Sequence, residues 1–215
     1  MIRRIQLAPI VLALGLVSGA AHAALQGRDL NGSVGSFEAY YDTDRNITWL
    51  ANANVNGLMT WAAANTWAAN LSFTDGVSVY DNWRLPTALN QDGTGPCVGF
   101  NCTGSEMGHL FYSELGGTAG QSILTSVDPD LTKFTNLQAN GYWSATEYYA
   151  PDTNLARVFF FYSGSQGAVT KASVLYALAV SPGDVGAVGA VPEAQTYALM
   201  LAGLGLIGWR ARRRG

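Results

Sequence analysis

Few side chains in this 215-residue chain are of the types that make or break covalent bonds. Away from the two ends there is one histidine, His109, and one pair of cysteines, Cys97 and Cys102. Nucleophilic catalysis needs a serine or cysteine beside a positioned base, and His109 is the single imidazole that could serve. It stands between Gly108 and Leu110 in an apolar periodic segment, the placement of a structural histidine rather than a base. The stretch Ser163-Gly-Ser-Gln-Gly167 is rich in glycine but lacks the Gly-x-Ser-x-Gly order of a nucleophile elbow, and reads as a turn. Acids are plentiful, yet the sequence places no two of them at the separation a glycosidase pair requires. No phosphate loop or dinucleotide fingerprint occurs.

Metal chemistry fares no better at this level. The cysteines lie in Gly95-Pro-Cys-Val-Gly-Phe-Asn-Cys-Thr-Gly104, with four residues between them where a redox motif has two. Tetrahedral zinc wants four ligands, and only His109 stands near the pair. A local Cys97–Cys102 disulfide in an oxidising compartment is the expectation. Asp42-Thr-Asp44 and Asp128-Pro-Asp130 carry oxygen ligands but do not complete a calcium loop. No catalytic residue, metal or cofactor is therefore assigned.

The elements that would position these groups follow from periodicity. Phe37–Tyr41 and Asn46–Leu50 are short aromatic and apolar runs between Asn, Gly and Asp turns, and predict strands. Met59–Leu71 carries Trp61, Ala64, Ala68 and Leu71 at helical spacing, with Trp67 at the edge of that stripe. A second helix is predicted over 105–115, with Thr103 and Glu106 as a capping box, Met107, Leu110, Phe111 and Leu115 facing inward, and Gly116-Gly117 as its stop. Three later strands are expected at Gly141–Tyr149, Ala156–Tyr162 and Val174–Val180. Helices early and strands late predict an α+β fold, two helices packed on mostly antiparallel strands.

The ends are of another kind. Met1-Ile-Arg-Arg4, an apolar run over Ile10–Val17 and the triplet Ala21-His-Ala23 form a signal peptide over 1–23, a substrate for the Sec translocon. At the other end Val191-Pro-Glu193 precedes an apolar segment from about 196 to 209 and a basic stop containing Arg210, Arg212, Arg213 and Arg214. A helix over that segment covers roughly 20 Å of the about 30 Å of hydrocarbon, a marginal transmembrane helix, with its arginines held on the cytoplasmic side of the inner membrane. Between the ends, residues 24–185 form one domain and 186–190 a linker. Six basic residues stand against fourteen acidic ones between 24 and 190, a net charge of −8. That body offers no footprint for a phosphate backbone, and nucleic acid is excluded as a partner.

Two resemblances are carried by these residues. The tail resembles the PEP-CTERM sorting signal of Gram-negative bacteria, which the membrane protease exosortase reads and cleaves. Val191, Pro192 and Glu193 match its opening, and Ala194 stands where the second proline usually falls. The resemblance makes Pro192 and Glu193 the recognition residues, and implies a transient membrane anchor followed by release to the cell surface or beyond. The body, over roughly 40–185, resembles the Lcl C-terminal-like domain family. It does so through Asp81-Asn-Trp-Arg-Leu-Pro-Thr87, containing Trp83, Arg84, Leu85 and Pro86, and through Tyr142-Trp-Ser-Ala-Thr-Glu147, containing Trp143 and Glu147. This implies a C-type-lectin-like fold and, from the few studied members, glycan binding. The family's fold class carries a calcium signature that this sequence lacks.

The expected function is a non-enzymatic surface or matrix module, exported and sorted by exosortase, that binds exopolysaccharide or another envelope component. A purely structural matrix protein and an exported hydrolase are the alternatives. Trp83 and Trp143 are expected in the core and Arg84 in a carboxylate pair; Tyr148, Tyr149 and Asp152, in a turn after the second motif, are the candidate ligand contacts.

Overall fold

The computed structural model describes residues 25–186, apart from 34 and 150–152. The signal peptide, the sorting segment and its apolar helix, and Asp152 therefore lie outside the described residues. In chain order the elements are β1 (Gln26–Arg28), β2 (Ala39–Asp42), β3 (Ile47–Leu50), α1 (Trp61–Ala69), β4 (Phe73–Thr74) and β5 (Val79–Tyr80). There follow α2 (Glu106–His109), which runs into a π-helical turn at Leu110–Glu114, and two 3-10 turns at Ile123–Thr125 and Pro129–Lys133. The chain closes with β6 (Gly141–Glu147), β7 (Leu155–Phe160), β8 (Ser165–Thr170) and β9 (Val180–Pro182). This is an α+β arrangement in which every pair of named strands is antiparallel. Among the described residues, no helix is long and apolar enough to cross a membrane.

One sheet has the order β1-β2-β3-β9, so the last strand returns to lie beside the third. A second sheet is the meander β6-β7-β8, and β4 pairs with β5 as a separate hairpin. Ser163–Gly167 divides between a turn and a strand: Ser163 and Gly164 belong to the β7–β8 turn, and β8 starts at Ser165. The predicted strand Val174–Val180 is not one. That segment crosses from one sheet to the other, bridging Met59 through Leu175, Tyr142 through Tyr176, and both Arg84 and Trp49 through Val180. The run starts at an exposed Val174 and is buried from Ala177 to Val180, and passing between two sheets it satisfies its backbone piecemeal instead of in one ladder.

The predicted helices form where the apolar spacing places them, but their starts differ. Helix α1 is shorter than its periodic stretch, because Thr60 caps it through Oγ1. In α2 the cap is Ser105, not Thr103: Ser105 Oγ accepts the Gly108 N–H at 3.2 Å. The capping box fails because the Glu106 carboxylate turns away to Arg84. A Cβ on Gly108 would sit 1.9 Å from the Cys102 carbonyl oxygen, so only glycine lets the helix lie this close to the disulfide loop.

The core lies between the two larger sheets and α2. Met107, Leu110, Phe111 and Leu115, the residues predicted to face inward, are all buried. Phe111 stacks against Phe159 and Phe161 at centroid distances of 5.5 and 5.9 Å, and Tyr142 meets Phe161 at 5.0 Å. Burial pushes the Tyr142 phenol well above its ordinary pKa, and its oxygen accepts the Gln138 N–H at 2.9 Å. Trp143 is fully enclosed and donates its indole N–H to the Met59 carbonyl at 2.8 Å.

Trp83 is 4% exposed, meets Phe73 edge-on at 5.5 Å, and donates its indole N–H to the Tyr80 carbonyl at 3.0 Å. Replacing it by alanine removes a large side chain from a closed site. Trp83→Ala should cost roughly 3 to 5 kcal/mol. At about 3 °C per kcal/mol for a domain of this size, Tm should fall by on the order of 10 °C. Calorimetry of the variant checks this, and an unchanged Tm would place Trp83 outside the core.

Candidate functional site

The Trp83–Thr87 segment is built as scaffold on both faces. Trp83 and Leu85 point into the core, while Arg84 pairs through its backbone with Val180 at 2.9 Å in each direction. The Arg84 guanidinium grips Glu106 with two bonds, Nη1 to Oε2 at 2.8 Å and Nη2 to Oε1 at 2.6 Å. Glu106 Oε2 accepts a further bond from the Thr87 N–H at 2.7 Å. The Glu106 hydrogen bonds hold the guanidinium pKa above its ordinary value, against partial burial. Pro86, which has no N–H to offer, accepts the Ala145 N–H on its carbonyl at 2.8 Å. Glu147, at the end of β6, reaches Lys171 at 2.9 Å, and the Lys171 ammonium lies 4.4 Å above the Trp61 ring.

Tyr148 and Tyr149 are 36% and 54% exposed. They stand over the guanidinium of the buried Arg157, 4.6 and 5.6 Å from the two ring centres. The Tyr149 hydroxyl donates to the Gly95 carbonyl at 2.6 Å. The rings are thus fixed, each with the cation on one side, and Tyr149 has already spent its hydroxyl proton on the protein.

A larger concavity lies elsewhere. A groove of about 570 Å³ runs beside β2, walled by Phe37, Tyr40 and Phe73, floored by Leu50, and edged by Asn52, Thr132, Lys133 and Thr135. That volume falls within the usual range for small-ligand sites. Phe37 is 52% exposed and packs close against Gly27, where any Cβ would meet its ring at 2.3 Å. Its edge faces the Tyr40 ring at 6.1 Å. Burial first, and then the Asp130 charge, push the Tyr40 phenol above its ordinary pKa, so it remains a neutral donor and acceptor. The sequence reading missed this groove, because its walls come from four segments far apart in the chain.

The acidic pairs weighed for calcium are split by the fold. Asp128 caps the Pro129–Lys133 turn and Asp130 pairs with Lys133 at 2.8 Å. Asp42 Oδ1 accepts the N–H groups of Asp44 and Arg45 at 3.0 and 2.9 Å. Its other oxygen, Oδ2, lies 3.7 Å from His109 Nε2, and Glu114 Oε1 lies 3.0 Å from the same nitrogen. All three residues are buried. Sequence reasoning read His109 as structural and did not join it to Glu114, because five residues on an ideal helix separate two side chains by about 140°. The π turn, closed by Leu115 N–H to the Leu110 carbonyl at 2.9 Å, brings them together. A glutamate placed among Leu110, Phe111 and Leu115 was the signal available.

Cys97 and Cys102 are joined as a disulfide. In comparison with known proteins, residues 190–214 match the PEP-CTERM protein-sorting motif. That motif marks the chain as exported, transiently anchored in the membrane, and processed by exosortase. No curated protein matches the chain.

Two outcomes follow. Glu106→Ala leaves the Arg84 guanidinium and the Thr87 N–H without their acceptor. It should cost roughly 2 to 3 kcal/mol by urea denaturation, below the 3 to 5 of a fully buried pair, because the Arg84 side chain is 37% exposed. In a host with exosortase, Glu193→Ala, or deletion of 210–215 with its Arg210, Arg212, Arg213 and Arg214, should leave uncut precursor in the membrane fraction on immunoblots.

Proposed function

We propose that this exported protein is a non-enzymatic surface or matrix module of C-type-lectin-like architecture that binds a neutral exopolysaccharide in the groove beside β2. The observation that carries this reading is the groove's make-up: three aromatic walls within reach of amide, hydroxyl and ammonium groups. Sugar rings present apolar C–H faces and a rim of hydroxyls, and such walls and edges match them. Charge points the same way. Arg28, Arg84, Lys133 and Lys171 are paired to carboxylates, Arg45 donates to the Thr103 and Gly104 carbonyls, and Arg157 lies under two tyrosines. No basic patch is left among the described residues to draw an anionic polymer to an acidic body.

A hydrolase reading finds no support in the groove. Its one carboxylate, Glu38, accepts bonds from the Leu30 N–H, Asn31 Nδ2 and Ser36 Oγ at 2.9, 2.7 and 3.1 Å. A base committed to three donors, with no second acid across the groove, fits neither glycosidase geometry.

On a glycan array, the purified exported protein should bind neutral polysaccharides selectively. Phe37→Ala should weaken that binding roughly tenfold or more, on the scale of an aromatic hot spot, while the melting curve stays close to wild type. If Tyr149→Ala abolishes binding and Phe37→Ala does not, the ligand sits on the tyrosine pair. If no glycan is retained, the protein is a structural component.

A further inference from the structure

We infer that Asp42, His109 and Glu114 form a closed structural site for one divalent transition cation, of the Zn²⁺ or Mn²⁺ class. The ligand atoms of all three side chains lie within 4.8 Å of one another. With metal–ligand distances of about 2.0 to 2.1 Å, two ligands of a tetrahedral ion sit about 3.4 Å apart. The observed separations, 3.0 Å from His109 Nε2 to Glu114 Oε1 and 3.7 Å to Asp42 Oδ2, bracket that value.

The three groups do not satisfy one another. Although Glu114 Oε1 is at contact distance from His109 Nε2, it is off the line a ring N–H would take, and the nitrogen makes no hydrogen bond. Glu114 Oε2 is likewise buried without a partner, on a side chain only 2% exposed. A ring nitrogen and a carboxylate oxygen left bare in the interior each carry a desolvation cost, unless something not counted among the protein's own atoms binds them. Both Glu114 oxygens are then available for chelation, which with His109 and Asp42 completes four donor atoms.

Charge decides between this and a plain ion pair. No lysine or arginine among the described residues pairs with Asp42 or Glu114. An imidazolium would balance one carboxylate and leave the other either charged in the interior or obliged to bind a proton, each at a cost. A divalent cation with neutral imidazole balances both. The donor set selects its class: an imidazole suits zinc and carboxylates suit manganese, whereas calcium asks for six to eight oxygens and the two carboxylates here carry four. Outer contacts are also in place. Asp42 is oriented by two backbone N–H groups, and its Oδ2 faces the Trp49 indole N–H at 3.4 Å. The side chains are 0 to 10% exposed, which makes the site a clamp between the end of β2 and the helical segment and not an open catalytic centre.

The test uses the exported protein, stripped with EDTA, refilled separately with Zn²⁺, Mn²⁺ or Ca²⁺, desalted, and measured by plasma mass spectrometry. A single equivalent of Zn²⁺ or Mn²⁺ should remain and Ca²⁺ should not, with Tm rising by roughly 5 to 10 °C on refilling. Glu114→Gln and His109→Gln should each reduce retained metal at least tenfold while the circular dichroism spectrum and the disulfide persist. Wild type that retains neither transition metal, or variants that retain as much as wild type, overturn the assignment. Should neither variant fold, wild type refilled with Co²⁺ decides: visible bands of a coordinated ion support the site, and the colour of the free aqueous ion alone refutes it.

Discussion

The Glu106 carboxylate is the point at which the two halves of this fold are fastened. It receives two bonds from Arg84 and one from the Thr87 N–H, so one side chain at the start of α2 holds the whole Trp83–Thr87 segment. The Arg84 backbone in turn pairs with Val180, and Val180 pairs with Trp49 of the first sheet. Pro86 and Thr87 bond to Ala145 and Thr146 of the second sheet. A helix, both sheets and the returning chain thus meet within a few residues. A side chain with three acceptor bonds is hard to replace, because its loss leaves several groups unsatisfied at once.

This fastening explains which parts of the sequence were legible. The apolar stripes of α1 and α2 and the alternation of Trp83 and Leu85 report burial, and burial is what periodicity encodes. Glu106 was misread for a physical reason: a glutamate three residues after a threonine has the spacing of a capping box, and nothing local says that an arginine 22 residues earlier in the chain will outcompete the backbone for it. Val174–Val180 was misread because an apolar run reports that a segment is inside, without saying whether a ladder pairs it. The β2 groove was invisible because Phe37, Tyr40, Phe73 and Lys133 are brought together only by the closed sheet and the 3-10 turn. The meeting of His109 with Glu114 was hidden by a helical assumption, since a π turn changes which spacings share a face.

Electrostatics ties these sites together. With six basic residues against fourteen acidic ones, the body has few cations to distribute, and each is used within the structure. Arg28 grips Asp184 with two bonds and so ties β1 to the chain's exit from the last strand. Lys133 holds the Leu25 carbonyl and Asp130 beside the groove. Such a surface repels other polyanions and leaves neutral hydroxylated ligands, and small cations, as the partners that its charge favours.

The disulfide belongs to the same economy of position. Its loop is short, with a sequence separation of 5, so its entropic contribution falls at the low end of the roughly 2 to 4 kcal/mol usual for such bonds. What the loop does is local. Gly99 pairs with Gln166 of β8 through bonds of 2.8 and 2.7 Å, and the Gln166 amide donates to the Ala88 and Cys97 carbonyls. At its far end the Cys102 carbonyl accepts from Ser105 Oγ, the residue that caps α2. The cross-link therefore fixes the origin of the helix against the second sheet. The position of that origin sets where His109 and Glu114 arrive, one π turn later, opposite Asp42.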